Sequence, residues 1–297
     1  MIGLSPEQIE TFDQEGVLCL PDFFSSQQVD QMLQRSRELL SELDLSSHPR
    51  TQFKTGDNDH IGDQYFFDSA DKVSYFFDVD AFGPDGELRY SKEKAVNKIG
   101  HGLHMKDALF HRMTFDPKIK AVARSLQMTD PRVLQSMLIF KNPSVSAEAR
   151  DNAVPSHTDG TFLYTKPQTA IGFWVALEDC TPENGCLSYN PGSHKTFPLT
   201  KRFVKVDGGK KGCNFIDLEH GEVPQDNDAD YKFVECKAGS LVLIHNSVLH
   251  KSEKNHSAKS RYAYAFHVID GTAEYDELNW LQIPISGGSE FSKLYEE

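Results

Sequence analysis

Apolar positions recur at helical spacing near the start of this chain, and period-two alternation appears in later segments, most cleanly at 261–267. Ser5-Pro6-Glu7-Gln8 supplies a cap, a first-turn proline and the glutamine of a capping box, so a helix is expected to about Gln14 with Gly16 ending it. A strand near Val17 to Leu20 follows. Ser25 or Ser26 then caps a helix in which Val29, Met32, Leu33, Leu40 and Leu43 share one face, and that face is expected to pack on a sheet. Asp116-Pro117 opens a further helix to about Leu126. Arg132 to Phe140 reads as a strand with Gln135 and Met137 on one side.

Two later strands have faces of unusual composition. Ala170 to Leu177 sets Ala, Gly, Trp, Ala against Ile, Phe, Val, Leu. The first face suits the lining of an occupied hollow and the second suits packing against helices or another sheet. Trp174 then either walls that hollow or is a plain core tryptophan. Arg261 to His267 sets Arg, Ala, Ala, His against Tyr, Tyr, Phe. The aromatic face is the one that packs, which leaves a single guanidinium at the start of a face of small residues. A planar five-donor fork binds a carboxylate bidentately and keeps its charge when buried.

His157-Thr158-Asp159 adds candidate metal chemistry, because side chains at i and i+2 of an extended strand point the same way. Ser240 to Ser252 reads as a strand, a turn near His245-Asn246, and a second strand from about Val248 on which His250 and Ser252 share a face. Two imidazoles and a carboxylate form the facial triad of non-haem Fe(II) oxygenases, which leaves positions open for co-substrate and oxygen. His245 competes with His250 as the distal ligand. His194 reads as a turn residue, while His101 and His104 read as structural or as facing the mouth of a site.

With these residues in place the chain resembles the phytanoyl-CoA dioxygenase family of Fe(II)/2-oxoglutarate oxygenases, from Gly16-Val-Leu-Cys-Leu-Pro-Asp-Phe-Phe to Asn279-Trp280-Leu281. The markers are Asn97-Lys98-Ile99-Gly100-His101, Gln135-Ser136-Met137, His157-Thr158-Asp159, Glu183-Asn184-Gly185-Cys186-Leu187, Pro191-Gly192-Ser193-His194, and His250 with Arg261. The resemblance implies that His157, Asp159 and His250 bind Fe(II) and that Arg261 holds the distal carboxylate of 2-oxoglutarate. It also implies that Lys98, Met137, Trp174 and Ser252 line the co-substrate pocket. Many relatives carry a serine two residues after the arginine, where this chain has Ala263, so Ser252 is the candidate for that hydroxyl. Related halogenases have a small residue at the position of Asp159, and an aspartate there implies hydroxylation. The implied reaction couples oxidative decarboxylation of 2-oxoglutarate by O2, giving succinate and CO2, to hydroxylation of a small molecule. Two other classes stay open: a catalytically silent 2-oxoglutarate and metal sensor, and a cofactor-independent dioxygenase of the cupin type.

The expected fold is mainly β with flanking helices, a double-stranded β-helix or distorted jelly roll of cupin-like form. One catalytic domain over residues 1–297 is expected. About 1–130 would supply helical support and a substrate entrance, about 131–282 the jelly-roll core, and 195–233 a polar loop insertion forming a lid or rim. Tyr65-Phe66-Phe67 and Tyr75-Phe76-Phe77 either line that entrance or pack as core. A length of 297 residues with 38% hydrophobic content and twenty Phe allows a substantial single core.

No apolar run approaches a membrane span. A net charge of −13 disfavours a nucleic-acid backbone as partner yet says nothing against a small anion inside a locally basic pocket. Cys19, Cys180, Cys186, Cys213 and Cys236 are an odd set without C-x-x-C spacing. With no signal peptide evident, reduced thiols and a cytoplasmic location are expected.

Overall fold

A computed structural model of the chain describes residues 3–52, 64–143 and 152–295. Residues 53–63, within the expected 1–130 support and entrance region, lie outside these. Helix α1 (Pro6–Glu15) has the reciprocal cap that its sequence predicts. Ser5 Oγ accepts from the Gln8 amide at 3.2 Å while the Gln8 side chain accepts from the Ser5 amide at 2.9 Å. Gly16 closes the helix in the left-handed region at φ 80°, which costs a residue without Cβ least. Helix α2 (Ser26–Glu42) is capped by Ser25 and buries Val29, Met32, Leu39 and Leu40, with Leu33 half-buried at the edge of that stripe. The predicted helix after Asp116 runs Pro117–Ser125.

In chain order the strands are β1 (Val17–Leu20), β2 (Val73–Phe77), β3 (Val96–His101), β4 (Pro131–Lys141), β5 (Val154–His157), β6 (Thr165–Lys166), β7 (Ile171–Ala176) and β8 (Leu187–Tyr189). They continue as β9 (Lys201–Lys205), β10 (Cys213–Asp217), β11 (Lys232–Phe233), β12 (Leu241–His245), β13 (His250–Ser252), β14 (Arg261–Asp270), β15 (Glu274–Tyr275) and β16 (Ser292–Lys293). A large sheet has the order β1-β12-β7-β14-β4-β3-β2, with β16 also paired to β4. A smaller sheet has the order β11-β8-β13-β5. All the pairings within them are antiparallel. The 1–130 region therefore gives the large sheet three strands as well as its helical cover.

The period-two patterns settle which face does what. Phe173, Val175, Tyr264, Phe266, Leu138, Phe140, Leu241 and Leu243 form one cluster with the apolar stripes of the helices. Trp174, Ala176, Ala263, Ala265, Met137, Val242 and Ile244 form another with Leu187 and Tyr189 of the small sheet. Two sheets thus close around an inner face built largely of small residues, and a cavity remains between them. The mainly β architecture expected from the sequence is the one found.

The aromatic triplets take the packing alternative rather than the entrance. Phe66, Phe67 and Phe76 join Phe203 and Trp280 in a buried cluster, and Phe77 belongs to the cluster under the helices. The 195–233 segment is more ordered than a polar loop. It holds the β9–β10 hairpin, whose Phe203 and Cys213 are buried. Arg202 there pairs with Asp276 at 2.6 Å and donates to Asn279 at 2.8 Å. Only residues 219–230 are continuously exposed. That stretch is tied to the small sheet, where the Tyr231 and Ser156 hydroxyls lie 2.6 Å apart and Lys251 meets Asp228 at 2.6 Å. Among the described residues no helix is long and apolar enough to cross a membrane, and all five cysteines are free thiols.

Phe173 and Phe266 stack at 5.0 Å between ring centres with neither ring exposed. Phe173→Ala is expected to lower the unfolding free energy by about 3–5 kcal/mol. Phe233→Ala, at a ring 54% exposed, should move it by under about 0.5 kcal/mol. Urea unfolding of the two variants compares them, and equal shifts would contradict this assignment of the core face.

Candidate metal centre and adjoining anion pocket

Register brings the first three candidate residues together. His250 on β13 is the cross-strand partner of His157 on β5, and the ring centres are 4.2 Å apart. The strand carrying His157 ends there, and Asp159 opens a short 3-10 turn. Thr158 between them stays extended at φ −119° and ψ 141°, so the expected same-face relation of residues i and i+2 survives the end of the strand. One ligand atom from each of His157, Asp159 and His250 lies within 4.8 Å of the other two. Asp159 Oδ1 is 3.9 Å from His157 Nε2 and 3.7 Å from His250 Nε2. Neighbouring ligands around one ion at bond lengths of about 2.1 Å sit about 3 Å apart, so small side-chain movements suffice to close the set.

The outer contacts suit a metal as well. His157 Nδ1 lies 2.8 Å from the Pro155 carbonyl and His250 Nδ1 lies 3.1 Å from the Val248 carbonyl. A carbonyl only accepts, so each Nδ1 carries the hydrogen and each Nε2 presents its lone pair inward. His267 Nε2 is 3.2 Å from Asp159 Oδ2, which occupies the outer oxygen and leaves Oδ1 facing the imidazoles. Gln135 in turn reaches His267 Nδ1 at 3.3 Å.

Protonation follows from the surroundings. Burial, then the neighbouring His250, brings the His157 pKa down to about 4. Burial alone would raise the Asp159 pKa, but the imidazoles of His267, His250 and His157 outweigh it and hold the carboxyl below the usual carboxylate range. A neutral imidazole beside an ionised carboxylate is what a divalent ion requires.

The centre lies in a cavity of about 180 Å³ that is also lined by Lys98, Met137, Lys141, Trp174, Ser252 and Arg261. Arg261 is 2% exposed and its guanidinium stands 5.4 Å over the Trp174 ring. Among the described residues it makes no ion pair, and its Nε has no hydrogen-bond partner. Burial pulls its pKa down, opposed by nearby thiols and Glu178. Trp174 is therefore both cavity wall and buried ring, which joins the two alternatives open at the sequence level. Lys98 is 5% exposed and lies 5.3 Å from the Phe76 ring and 5.7 Å from the Phe66 ring. Burial lowers its pKa to about 7. Ser252 Oγ accepts from Lys141 Nζ at 2.8 Å.

The other histidines sort cleanly. His245 packs against Phe12 and His194, on the far side of the strand from the centre. His194 bonds to the Asp13 carbonyl. His101 and His104, both 1% exposed, contact Ser69 and Ser136 and serve the structure. Two residues were missed as site members. His267 was visible as the last member of the Arg261 face. Lys141 could have been found by continuing the Gln135 and Met137 alternation two more steps, which passes the predicted strand end by one residue.

The family model described as phytanoyl-CoA dioxygenase (PhyH) matches residues 12–263. A Caenorhabditis elegans protein called phytanoyl-CoA dioxygenase domain-containing protein 1 homolog is 40% identical over 279 residues, covering 92% of this chain and 94% of that one. The Mus musculus phytanoyl-CoA dioxygenase domain-containing protein 1 is 39% identical over 290 residues, covering 95% and 96%. Among solved structures, EctD from S. alaskensis with 2-oxoglutarate and 5-hydroxyectoine superposes with a TM-score of 0.60 at 18% identity, covering 93% of this chain and 79% of that one. The epimerase SnoN in complex with Fe3+, alpha ketoglutarate and nogalamycin RO gives 0.59 at 17%, covering 91% and 84%. At these identities the likeness is one of fold, and that fold is the jelly roll expected from the strand pattern.

Lys98 generates a pH dependence with a defined sign. Its folded pKa, near 7, lies below that of an unfolded lysine. Between about pH 7 and 10 the unfolded chain therefore binds the proton that the folded chain has released, and this residue's contribution to stability rises with pH. The stability of the wild type relative to Lys98→Met should increase by roughly 1 kcal/mol per pH unit from pH 7 to 9. Urea melts of both proteins at the two pH values measure it, and a difference independent of pH would refute the buried, depressed lysine.

Proposed function

The chain belongs to the phytanoyl-CoA dioxygenase (PhyH) family, and we propose that it is an Fe(II)- and 2-oxoglutarate-dependent dioxygenase that hydroxylates a small-molecule substrate. The observation that carries this reading is the shared cavity, with the His157, Asp159 and His250 donor set on one side and, on another, a buried guanidinium that pairs with no carboxylate among the described residues. A desolvated charge without a direct ion-pair partner is costly. A dicarboxylate whose far end meets Arg261 would offset that cost, while its near end reaches the metal ligands.

The residues take roles that follow from their contacts. His157 and His250, oriented by backbone carbonyls, present neutral Nε2 atoms, and Asp159 presents Oδ1 with Oδ2 held by His267. Bound iron with a chelating 2-oxo acid supplies activation of dioxygen, in which 2-oxoglutarate becomes succinate and carbon dioxide and the second oxygen atom is placed on the substrate as hydroxyl. Arg261 orients the co-substrate through a bidentate pair with its distal carboxylate. Trp174 and Met137 exclude water from that pair, which strengthens it in the low-dielectric interior. Lys98 and Ser252 bring donors to the same cavity. A carboxylate at position 159 fills the coordination position that a small residue would leave to halide, which supports hydroxylation over halogenation.

Succinate release from 2-oxoglutarate should require Fe(II) and should vanish in Asp159→Ala, because the remaining two imidazoles bind the ion weakly. Arg261→Ala should weaken 2-oxoglutarate binding by about 2–5 kcal/mol, the usual result of removing one partner of a desolvated charge pair. Succinate quantitation and calorimetric titration of the metal-loaded protein read these outcomes. Tight 2-oxoglutarate binding without succinate from any offered substrate would point to a binding module. Full activity in Arg261→Ala would instead favour a dioxygenase that uses no 2-oxo acid.

A further inference from the structure

Lys141 has no part in the reading above, yet it is 2% exposed and lines the same cavity. It is the last residue of β4 and the cross-strand partner of Arg261, so two cationic side chains leave adjacent strands side by side. Its Nζ has three acceptors: Ser252 Oγ at 2.8 Å, the Ser252 carbonyl at 3.3 Å and the Glu253 carbonyl. An ammonium has three hydrogens and no lone pair, so it satisfies all three acceptors together. Where it meets Ser252 Oγ it must donate. The hydroxyl then accepts from Lys141 and keeps its own hydrogen for another acceptor. Among the described residues Ser252 Oγ donates to none.

The turn above the amine is shaped to admit it. Gly185 lies at φ +73°, and a Cβ there would stand 2.7 Å from Lys141 Cδ and 3.1 Å from Nζ and would collide with the Glu253 carbonyl oxygen. This gives the Glu183-Asn184-Gly185 sequence a steric purpose beyond making a turn. Ser252 is the hydroxyl that lines the cavity beside Lys141.

Building on the 2-oxoglutarate reading, we propose that Lys141 is a positioning residue for the co-substrate: its ammonium fixes Ser252 as a hydrogen-bond donor to the distal carboxylate that Arg261 pairs with. A carboxylate is an acceptor only. A serine whose hydrogen points away offers it nothing, whereas a serine held from behind by an ammonium offers its hydrogen and sits in a field of the correct sign. Burial, then the neighbouring Arg261 charge, brings the Lys141 pKa down to about 6. An arriving carboxylate is the counter-charge that returns the proton to the amine and holds it there as the ammonium. The arrangement selects 2-oxo acids that carry a second carboxylate at the right distance, since a 2-oxo acid with a methyl end reaches neither Ser252 nor Arg261 with a charge.

The test is calorimetric titration of the Mn(II)-loaded protein, without oxygen, using 2-oxoglutarate and 2-oxopentanoate, which has the same chain length but one carboxylate. In Lys141→Met the dissociation constant for 2-oxoglutarate should rise at least tenfold while those for 2-oxopentanoate and Mn(II) stay within about twofold. In a Ser252→Ala background the same change should cost far less, because the group through which Lys141 acts is gone. Lys141→Gln, which keeps an amide donor and is less disruptive to folding, should also lose affinity for the dicarboxylate alone. Equal weakening of both acids in each variant, or of Mn(II) with them, would reduce Lys141 to a structural tie for β13 and overturn the proposal. Additive losses in the double variant would do the same. If the wild-type protein fails to bind 2-oxoglutarate at all, the co-substrate assignment itself falls, and this is seen before any variant is made.

Discussion

A guanidinium removed from water and paired with no carboxylate among the described residues is the constraint around which this structure is arranged. An exposed arginine costs little wherever it falls, but Arg261 is 2% exposed and stands over the face of Trp174. The ring's quadrupole recovers part of the lost hydration and leaves the charge without an ion pair among the described residues. On the proposed reading, the fold keeps this group for an anion from outside. The inner face of β14 is consistent with this, since Ala263 and Ala265 follow Arg261 and leave the volume that larger side chains would fill.

Antiparallel register turns that single residue into a site. Pairing of β14 with β4 sets Lys141 against Arg261, and pairing with β7 sets Ala265 against Trp174. In the smaller sheet, pairing of β13 with β5 sets His250 against His157. A slip of one residue in either pairing would send these side chains to the opposite face. The packed aromatic faces, where Phe173, Tyr264 and Phe266 meet the helices, make such a slip expensive. Core packing and site geometry are therefore two sides of the same strands, and stability on one face enforces position on the other.

This coupling explains what the sequence disclosed and what it withheld. Alternation in 170–177 and 261–267 is a local signal with a known period, so the inward residues Trp174 and Arg261 and the outward Phe173 and Tyr264 were readable in advance. The caps at Ser5 and Ser25 were equally local. His250 was separable from His245 only through its shared face with Ser252 and the family's spacing, because a turn can shift by a residue without changing the hydrophobic pattern. Lys141 was withheld by the habit of ending a strand at its last apolar residue, here Phe140. The packing of Phe66 with Trp280, and the burial of the β9–β10 hairpin within an otherwise polar stretch, rest on contacts between residues far apart in sequence, which no window of the chain contains.

Electrostatics then separates the molecule into two regimes. The formal charge of −13 belongs mostly to solvated side chains, whose influence fades within about a Debye length, roughly 8 Å at physiological salt. Inside the cavity the same formal charges act through fewer water molecules and count for more. There Asp159 is an ionised carboxylate at one side and Arg261 a cation at another, so the bare cavity attracts an acid's far end and repels its near end. A divalent ion held by Asp159 and two neutral imidazoles reverses the sign at the near side, leaving a net charge of about +1 where the 2-oxo acid would chelate. On the proposed reading both ends then favour a dianion, and the acid binds well only after the metal. The acidic surface and the dicarboxylate site coexist because the first acts across water and the second acts where water has been excluded.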